Sequence, residues 1–302
     1  MSKTGNQHLK SLRDGREVYL NGKKIDDVTK HPAFKNAVAA TANLYDFQSD
    51  PKNIEYMTFE SPTSKKRVNR CWQLTKSYDE LVLRRKSISS WAKLSAGWLG
   101  RSPDHIASSM VGQVMGLNVF ENHSPDRAKA LLDYFNWARD QDHYMTYVII
   151  NPQANRNKKI SEQKDEFLAT AVVDEDSEGI TVRGGKMLGT GSIMANEILF
   201  ANIQPLMPGE EKYAISFAIP MNTKGLKIMS RKSYEETATS TYDYPLSSRF
   251  DENDALIYCD DVKVPWERVF IYKDTDTARA QFQDTYAPVS YTHLRAHETS
   301  NH

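Results

Sequence analysis

Cysteine is scarce in this sequence of 302 residues: only Cys71 and Cys259 occur, far apart and in no CxxC spacing. A zinc or iron–sulfur centre held by thiolates of this chain is not expected, and the expected metal complement is none. Net charge is absent as well, 39 Lys and Arg offsetting 39 Asp and Glu. A dedicated nucleic-acid or anionic-membrane binder carries an excess of basic side chains, so neither partner is expected. The basic run Lys65, Lys66 and Arg67 with Arg70 reads as a solvated surface. No stretch approaches the roughly 18 apolar residues that span a bilayer. The opening MSKTGNQHLKSLRDGREVYL lacks the apolar segment of a signal peptide. These absences point to a cytoplasmic protein.

What is present is enough for a sizeable core: 39% of the residues are apolar, which suits one or two domains. The first half reads helical. HPAFKNAVAATANLYDF sets Phe34, Val38, Ala42 and Tyr45 at helical spacing. SYDELVLRRKSISSWAKLSAGWLG does the same with Leu81, Ile88, Trp91, Leu94 and Trp98, ending at Gly100. SPDRAKALLDYFNWARDQDHYMTYVII opens on Ser124 as N-cap with Pro125 at the first helical position. Ahead of these, REVYLNGKKIDDV reads as a hairpin around Asn21 and Gly22.

After Asn151 and Pro152 the texture changes. FLATAVVDED, GITVRGGKMLGT, EILFANIQPL, KYAISFAIPM, GLKIMSRKSY and DALIYCDDVKVPWERVFIY are short β-rich runs divided by Gly, Pro, Asn and Asp. They suggest a compact antiparallel sheet or barrel. The expected class is α+β, with a mainly helical domain over 1–150 and a β domain over 151–275. Residues 276–288 would begin a further helical domain.

Local chemistry is less decisive. GGKMLGTGS matches neither a P-loop nor a dinucleotide-binding fingerprint and reads as a β-turn, although Thr190 and Ser192 can offer hydroxyls to a ligand. In GWLGRSPDH, Gly100 ends one helix and Ser102-Pro103 begins another. Arg101 and His105 can then face one pocket, or be a surface arginine and a satisfied histidine. YPLSSRFDENDA packs Arg249, Asp251, Glu252 and Asp254 into one turn and reads as a solvated, capped loop.

Long ordered stretches nevertheless carry a resemblance. LKSLRDGREVYLNGKKIDDVTKHPAFKNA, LSAGWLGRSPDH, YVIINPQANR, YPLSSRFDENDA and VPWERVFIYKD together resemble the 4-hydroxyphenylacetate 3-monooxygenase family, from about Leu9 to Ala287. These are the large oxygenase components of two-component flavin monooxygenases. The resemblance implies an acyl-CoA-dehydrogenase-like fold: an N-terminal helical domain, a β-barrel, and a C-terminal helical bundle that this chain lacks. It implies reduced FAD, delivered by a separate NADH-dependent flavin reductase. It implies O2 as co-substrate, a flavin hydroperoxide, and hydroxylation of a phenol ortho to its hydroxyl group. The full-length protein would be a homotetramer.

The arginine of the family's Gly-Arg-(Ser/Thr)-Pro-Asp motif falls on Arg101, where a guanidinium can stabilise phenolate oxygen. Four residues later the family's tyrosine is His105 here. The family's pocket histidine, four residues before Asn-Pro, is Tyr147 here. The two residue types have exchanged places, so His105 becomes the implied proton acceptor and Tyr147 the hydroxyl partner. For FAD the resemblance implies Gln153, Ala154, Asn155 and Arg156, with Thr190 and Ser192. Two related flavoenzymes are the alternatives. A 4-hydroxybutyryl-CoA dehydratase needs an iron–sulfur cluster with cysteine ligands near Arg101 and His105, where this sequence has none. An acyl-CoA dehydrogenase has its catalytic glutamate beyond the present residues. An inactive fragment is the non-enzyme reading.

The final PVSYTHLRAHETSNH sets His293 and His297 four apart, as in a zinc helix. HLRAH lacks the glutamate that follows the first histidine in that motif, and no third ligand is evident. Val289 to Thr299 match an in-frame translation of a transposon-based sequencing adapter. Residues 289–302 are expected to be an adapter-derived tail on a truncated gene, with no role for either histidine.

Overall fold

The computed structural model describes residues 2–152, 154–155 and 157–287. The tail at 289–302, with Gln153 and Arg156, lies outside the described residues.

The strands run in chain order as β1 (Glu17–Leu20), β2 (Lys23–Ile25), β3 (Thr58–Glu60) and β4 (Arg67–Asn69). They continue as β5 (Met145–Val148), β6 (Ala171–Glu175), β7 (Gly179–Lys186) and β8 (Glu197–Phe200). The last are β9 (Ser216–Pro220), β10 (Leu226–Ser230), β11 (Ala255–Pro265) and β12 (Val269–Ile271). The principal helices are α1 (Gly5–Ser11), α2 (Lys35–Ser49), α3 (Tyr78–Leu94), α4 (Asp104–Met115), α5 (Asn118–His123), α6 (Pro125–Asp140) and α7 (Thr275–Gln283).

Each β-rich run of the second half contains a strand, and the Asn21–Gly22 hairpin forms. Both turn residues take positive φ, 51° and 75°, as a two-residue turn matched to strand twist requires. The hairpin joins the later strands: β1 lies parallel to β10, Val18 opposite Ile228. The larger sheet has the order β2-β1-β10-β11-β7-β6 and the smaller the order β12-β9-β8-β5. The β layer thus draws on residues before 150.

Two corrections follow. Pairing is mixed, since β1–β10 and β5–β8 are parallel. And among the described residues the sheets do not close into a barrel: each keeps two edge strands, β2 and β6 in one, β12 and β5 in the other. They pack face to face instead. Val182, Ile228 and Ile257 of the large sheet share one core with Ile198, Phe200, Phe217 and Ile219 of the small one. Alternate residues of the small sheet, Met145, Leu199 and Ala218, join a second core with Ile106, Met110 and Phe135 of α4 and α6. The small sheet is therefore covered on both faces, and β8 is buried at all four positions.

Helix α6 begins on Ser124 and Pro125 as expected, but the run does not stay helical to Ile150. It stops at Asp140, the chain turns through Asp142 at φ 50°, and the β-branched and aromatic MTYV becomes β5. Helix α3 also ends early. Ser95 caps it, and Ala96 and Gly97 take φ 50° and 78°, a left-handed pair that no helix continues through. Ile88 and Trp91 are buried, the Trp91 indole N–H donating to the Leu44 carbonyl at 2.8 Å. Leu81, Leu94 and Trp98, expected on that apolar face, are exposed.

Candidate active site

The early stop of α3 frees Gly97–Pro103 to form the turn that carries Arg101. Pro103 occupies the N-cap position of α4, where the missing N–H costs nothing. His105 is then the second residue of α4, 4% exposed, its N–H donating to the Ser102 carbonyl at 2.9 Å. On β5, Tyr147 has the parity of Met145 and packs against the helical core. The same parity brings it to α4. The His105 and Tyr147 rings stack with centroids 5.4 Å apart and planes 27° from parallel.

Arg101, four residues before His105, is half-buried, and its main chain is gripped at both ends of the residue. Its N–H donates to the Glu252 carboxylate at 2.5 Å. Its carbonyl accepts the Tyr144 hydroxyl at 2.6 Å. Tyr144 is 1% exposed; burial, then the nearby Glu252 and Asp104 carboxylates, hold its phenol well above the ordinary range, so it stays a donor.

The glycine-rich turn adjoins this grip. Gly191, at φ 76°, donates its N–H to the carbonyls of Glu252 (3.1 Å) and Asn253 (2.9 Å). A Cβ there would lie 2.6 Å from the Tyr144 hydroxyl oxygen, so only glycine fits. Thr190 donates its hydroxyl to Asp254, and its carbonyl accepts from Thr146 at 2.5 Å. Ser192 is fully buried, its hydroxyl bound to the Gly189 carbonyl at 2.6 Å. Thr190 keeps lone pairs at a half-buried position, whereas the Ser192 hydroxyl is spent inside the turn.

Of the segment after Asn-Pro, Ala154 and Asn155 are exposed. Asn151, Pro152 and Asn155 line a cavity of about 220 Å³ with Lys158, Ile160, Gln163 and Gln204. Gln163 braces the loop by donating to the Asn155 (2.9 Å) and Lys158 (3.1 Å) carbonyls. Amides and one lysine around a partly apolar wall suit the polar chain and phosphates of a flavin nucleotide. Asn155 and Lys158 offer polar atoms to such a group from the cavity wall, whereas the Ser192 hydroxyl is bonded within its own turn.

Three residues were missed by sequence reasoning. Glu252 lay in the loop read as solvated. In fact Asp251 is 5% exposed and paired with Arg231 at 2.5 Å, and Asn253 is 1% exposed at φ 53°. The loop is built inward because its acceptors serve backbone N–H groups of neighbouring turns; of its charged residues only Arg249 stays exposed. Tyr144 had no signal. Lys186 had one: Ile180, Val182 and Lys186 alternate onto one face of β7, and the first two are fully buried. The Lys186 ammonium, 1% exposed, donates to Asn151 Oδ1 (2.7 Å), the Ala201 carbonyl (2.9 Å) and Asn202 Oδ1 (2.5 Å). Burial lowers its pKa from 10.5 to about 7.

An arginine turn, a stacked imidazole–phenol pair and a glycine turn thus sit on two packed sheets under helices. A crystal structure of the oxygenase component of 4-hydroxyphenylacetate 3-monooxygenase, complexed with FAD and 4-hydroxyphenylacetate, superposes with a TM-score of 0.90 at 33% identity, covering 99% of this chain and 62% of that one. The chain belongs to the family described as 4-hydroxyphenylacetate 3-hydroxylase, N terminal, which matches residues 4–271. It is 36% identical to the 4-hydroxyphenylacetate 3-monooxygenase oxygenase component of Geobacillus sp. (strain PA-9), over 97% of this chain and 59% of that protein. It is 40% identical to the oxygenase component of 4-nitrophenol 2-monooxygenase from Rhodococcus sp., over 91% of this chain and 52% of that protein. The chain thus spans little more than half the length of these relatives.

Proposed function

We propose that this chain forms part of the oxygenase component of a two-component flavin monooxygenase, which hydroxylates a para-substituted phenol such as 4-hydroxyphenylacetate ortho to its hydroxyl group. The stacked His105–Tyr147 pair, with Arg101 four residues before His105 in the chain, carries this reading. The imidazole accepts the phenol proton, the Arg101 guanidinium pairs with the resulting phenolate oxygen, and the Tyr147 hydroxyl fixes the ring's orientation. Their partial burial limits competing water. Reduced FAD, when bound, supplies the activation of O2 and the oxygen transfer. Asn155, Lys158 and Thr190 are the present residues suited to hold it, together with Ala154. An NADH-dependent flavin reductase is the proposed partner, and a homotetramer the proposed assembly of the full-length protein.

The para-substituted phenol follows from the two relatives, whose names place oxygen next to the hydroxyl of a 4-substituted ring. The test is direct. Purified chain receives a flavin reductase, NADH, FAD, O2 and 4-hydroxyphenylacetate, and the catechol is quantified chromatographically. Formation above a control lacking the chain supports the reading. Absence of both catechol and FAD binding rejects it for this chain.

A further inference from the structure

Arg101 would have to hold its guanidinium on a phenolate from the Gly97–Pro103 turn between two helices. A long side chain amplifies any rotation of its own peptide, and misplacement by about 1 Å at a reacting centre can cost about a hundredfold in rate. The structure removes that freedom at both ends of residue 101. The Glu252 carboxylate accepts the N–H at 2.5 Å, and Tyr144 donates to the carbonyl at 2.6 Å. Both bonds are to main-chain atoms of residue 101, so the grip sets where the side chain starts.

Glu252 does a second thing. Its own carbonyl accepts the Gly191 N–H at 3.1 Å. Gly191 in turn lies so near Tyr144 that a methyl group would not fit between them. Two residues later Asp254 takes the Thr190 hydroxyl. One short segment, 252–254, therefore holds the arginine turn with a side chain and the glycine turn with its backbone and another side chain.

We propose that Glu252 is a positioning residue for Arg101, and that through it the glycine turn on the flavin side is mechanically coupled to the arginine turn on the phenol side. The functional sense of this coupling rests on the phenol and flavin reading above. The bonds that carry it are independent of any ligand.

The test compares wild type, Glu252→Ala, Glu252→Gln and Tyr144→Phe in the same chain, with two readouts. The first is the exchange rate of the Arg101 amide, read by NMR without ligand. Glu252→Ala is expected to speed it at least about tenfold while the Gly191 amide stays protected, because only the side-chain acceptor is lost. Glu252→Gln, which keeps an acceptor oxygen at the same reach, stays near wild type. An Arg101 amide as protected in Glu252→Ala as in wild type overturns the proposal. Should Glu252→Ala not fold, Tyr144→Phe loosens the other end of residue 101 and is judged by the same exchange rate. The second readout is the dissociation constant for 4-hydroxyphenylacetate from tryptophan fluorescence. Weakening of about tenfold in Glu252→Ala with recovery in Glu252→Gln supports positioning; equal affinities overturn it. If wild type binds no phenol, the functional reading fails for this chain, and the exchange rates alone decide whether Glu252 holds Arg101.

Discussion

The imidazole of His105 lies on the phenol ring of Tyr147, centroids 5.4 Å apart, joining the start of one helix to an edge strand of the small sheet. The contact puts a base and a hydroxyl in one place; on the proposed reading their residue types are reversed relative to the family pattern. Reversal of positions should preserve the pair's chemistry only if both members act on one ligand atom. Replacing His105 by Ala should lower catechol formation by about a hundredfold, in the range of a lost general base, while FAD binding changes little. The reciprocal double variant His105→Tyr/Tyr147→His should recover more activity than either single change, a non-additivity that a double-mutant cycle of rates reads directly. Additive losses would show that the two rings act independently.

Tyr144 supplies the second prediction. Its hydroxyl is the donor to the Arg101 carbonyl, at 2.6 Å inside a buried site. Tyr144→Phe leaves that acceptor unmet without opening a cavity, so the expected loss is about 1–3 kcal/mol of stability. Gly191→Ala should cost at least as much. It forces a side chain into φ 76° and within 2.6 Å of the Tyr144 oxygen. The pair combined should be less than additive, because Phe removes the oxygen that the new methyl group meets. Thermal or urea unfolding of the four chains checks both statements.

The two cysteines give a third. Both are buried and free, and burial raises both thiols above their ordinary range, which suppresses the reactive thiolate. The folded chain should therefore leave a thiol-disulfide reagent almost unconsumed, and two equivalents should react on unfolding in urea. Rapid reaction of either thiol in the native state would contradict the packing around it.

Much of the fold could be read in the sequence because its signals are local. Asn21–Gly22 specifies its hairpin by backbone conformation alone, and the β-rich runs between Gly, Pro and Asn became strands. The open pair of sheets was not legible, since closure depends on which edges meet rather than on any segment's pattern. Nor was the end of α3, where Ala96 adopts a left-handed φ of 50° that its residue type disfavours. At the site, Arg101 and His105 were visible as a helix-start motif and Tyr147 through family resemblance, but their meeting needed the strand parity of β5. Glu252 was misread for a physical reason. A charged loop looks the same in sequence whether its carboxylates face water or the N–H groups of a neighbouring turn. Lys186 was readable in principle, as a charge in phase with Ile180 and Val182.

That lysine gives the last prediction. Its ammonium sits among three neutral acceptors in the β core, and burial lowers its pKa from 10.5 to about 7. Between those two pH values the unfolded chain binds the proton and the folded chain progressively does not. Stability therefore rises with pH across this window, by the sign of the proton-uptake difference. Below about pH 7 both states are protonated and the cost of burying the charge is present in full. Lys186→Met removes the titrating group and leaves the oxygens of Asn151, Ala201 and Asn202 without this donor, so its stability at pH 9 should fall below wild type. At pH 6 the gap should narrow or reverse, because the variant no longer carries a buried cation. Urea midpoints of the two chains from pH 6 to pH 9.5 test this: a difference independent of pH would mean that Lys186 titrates alike in the folded and unfolded chain.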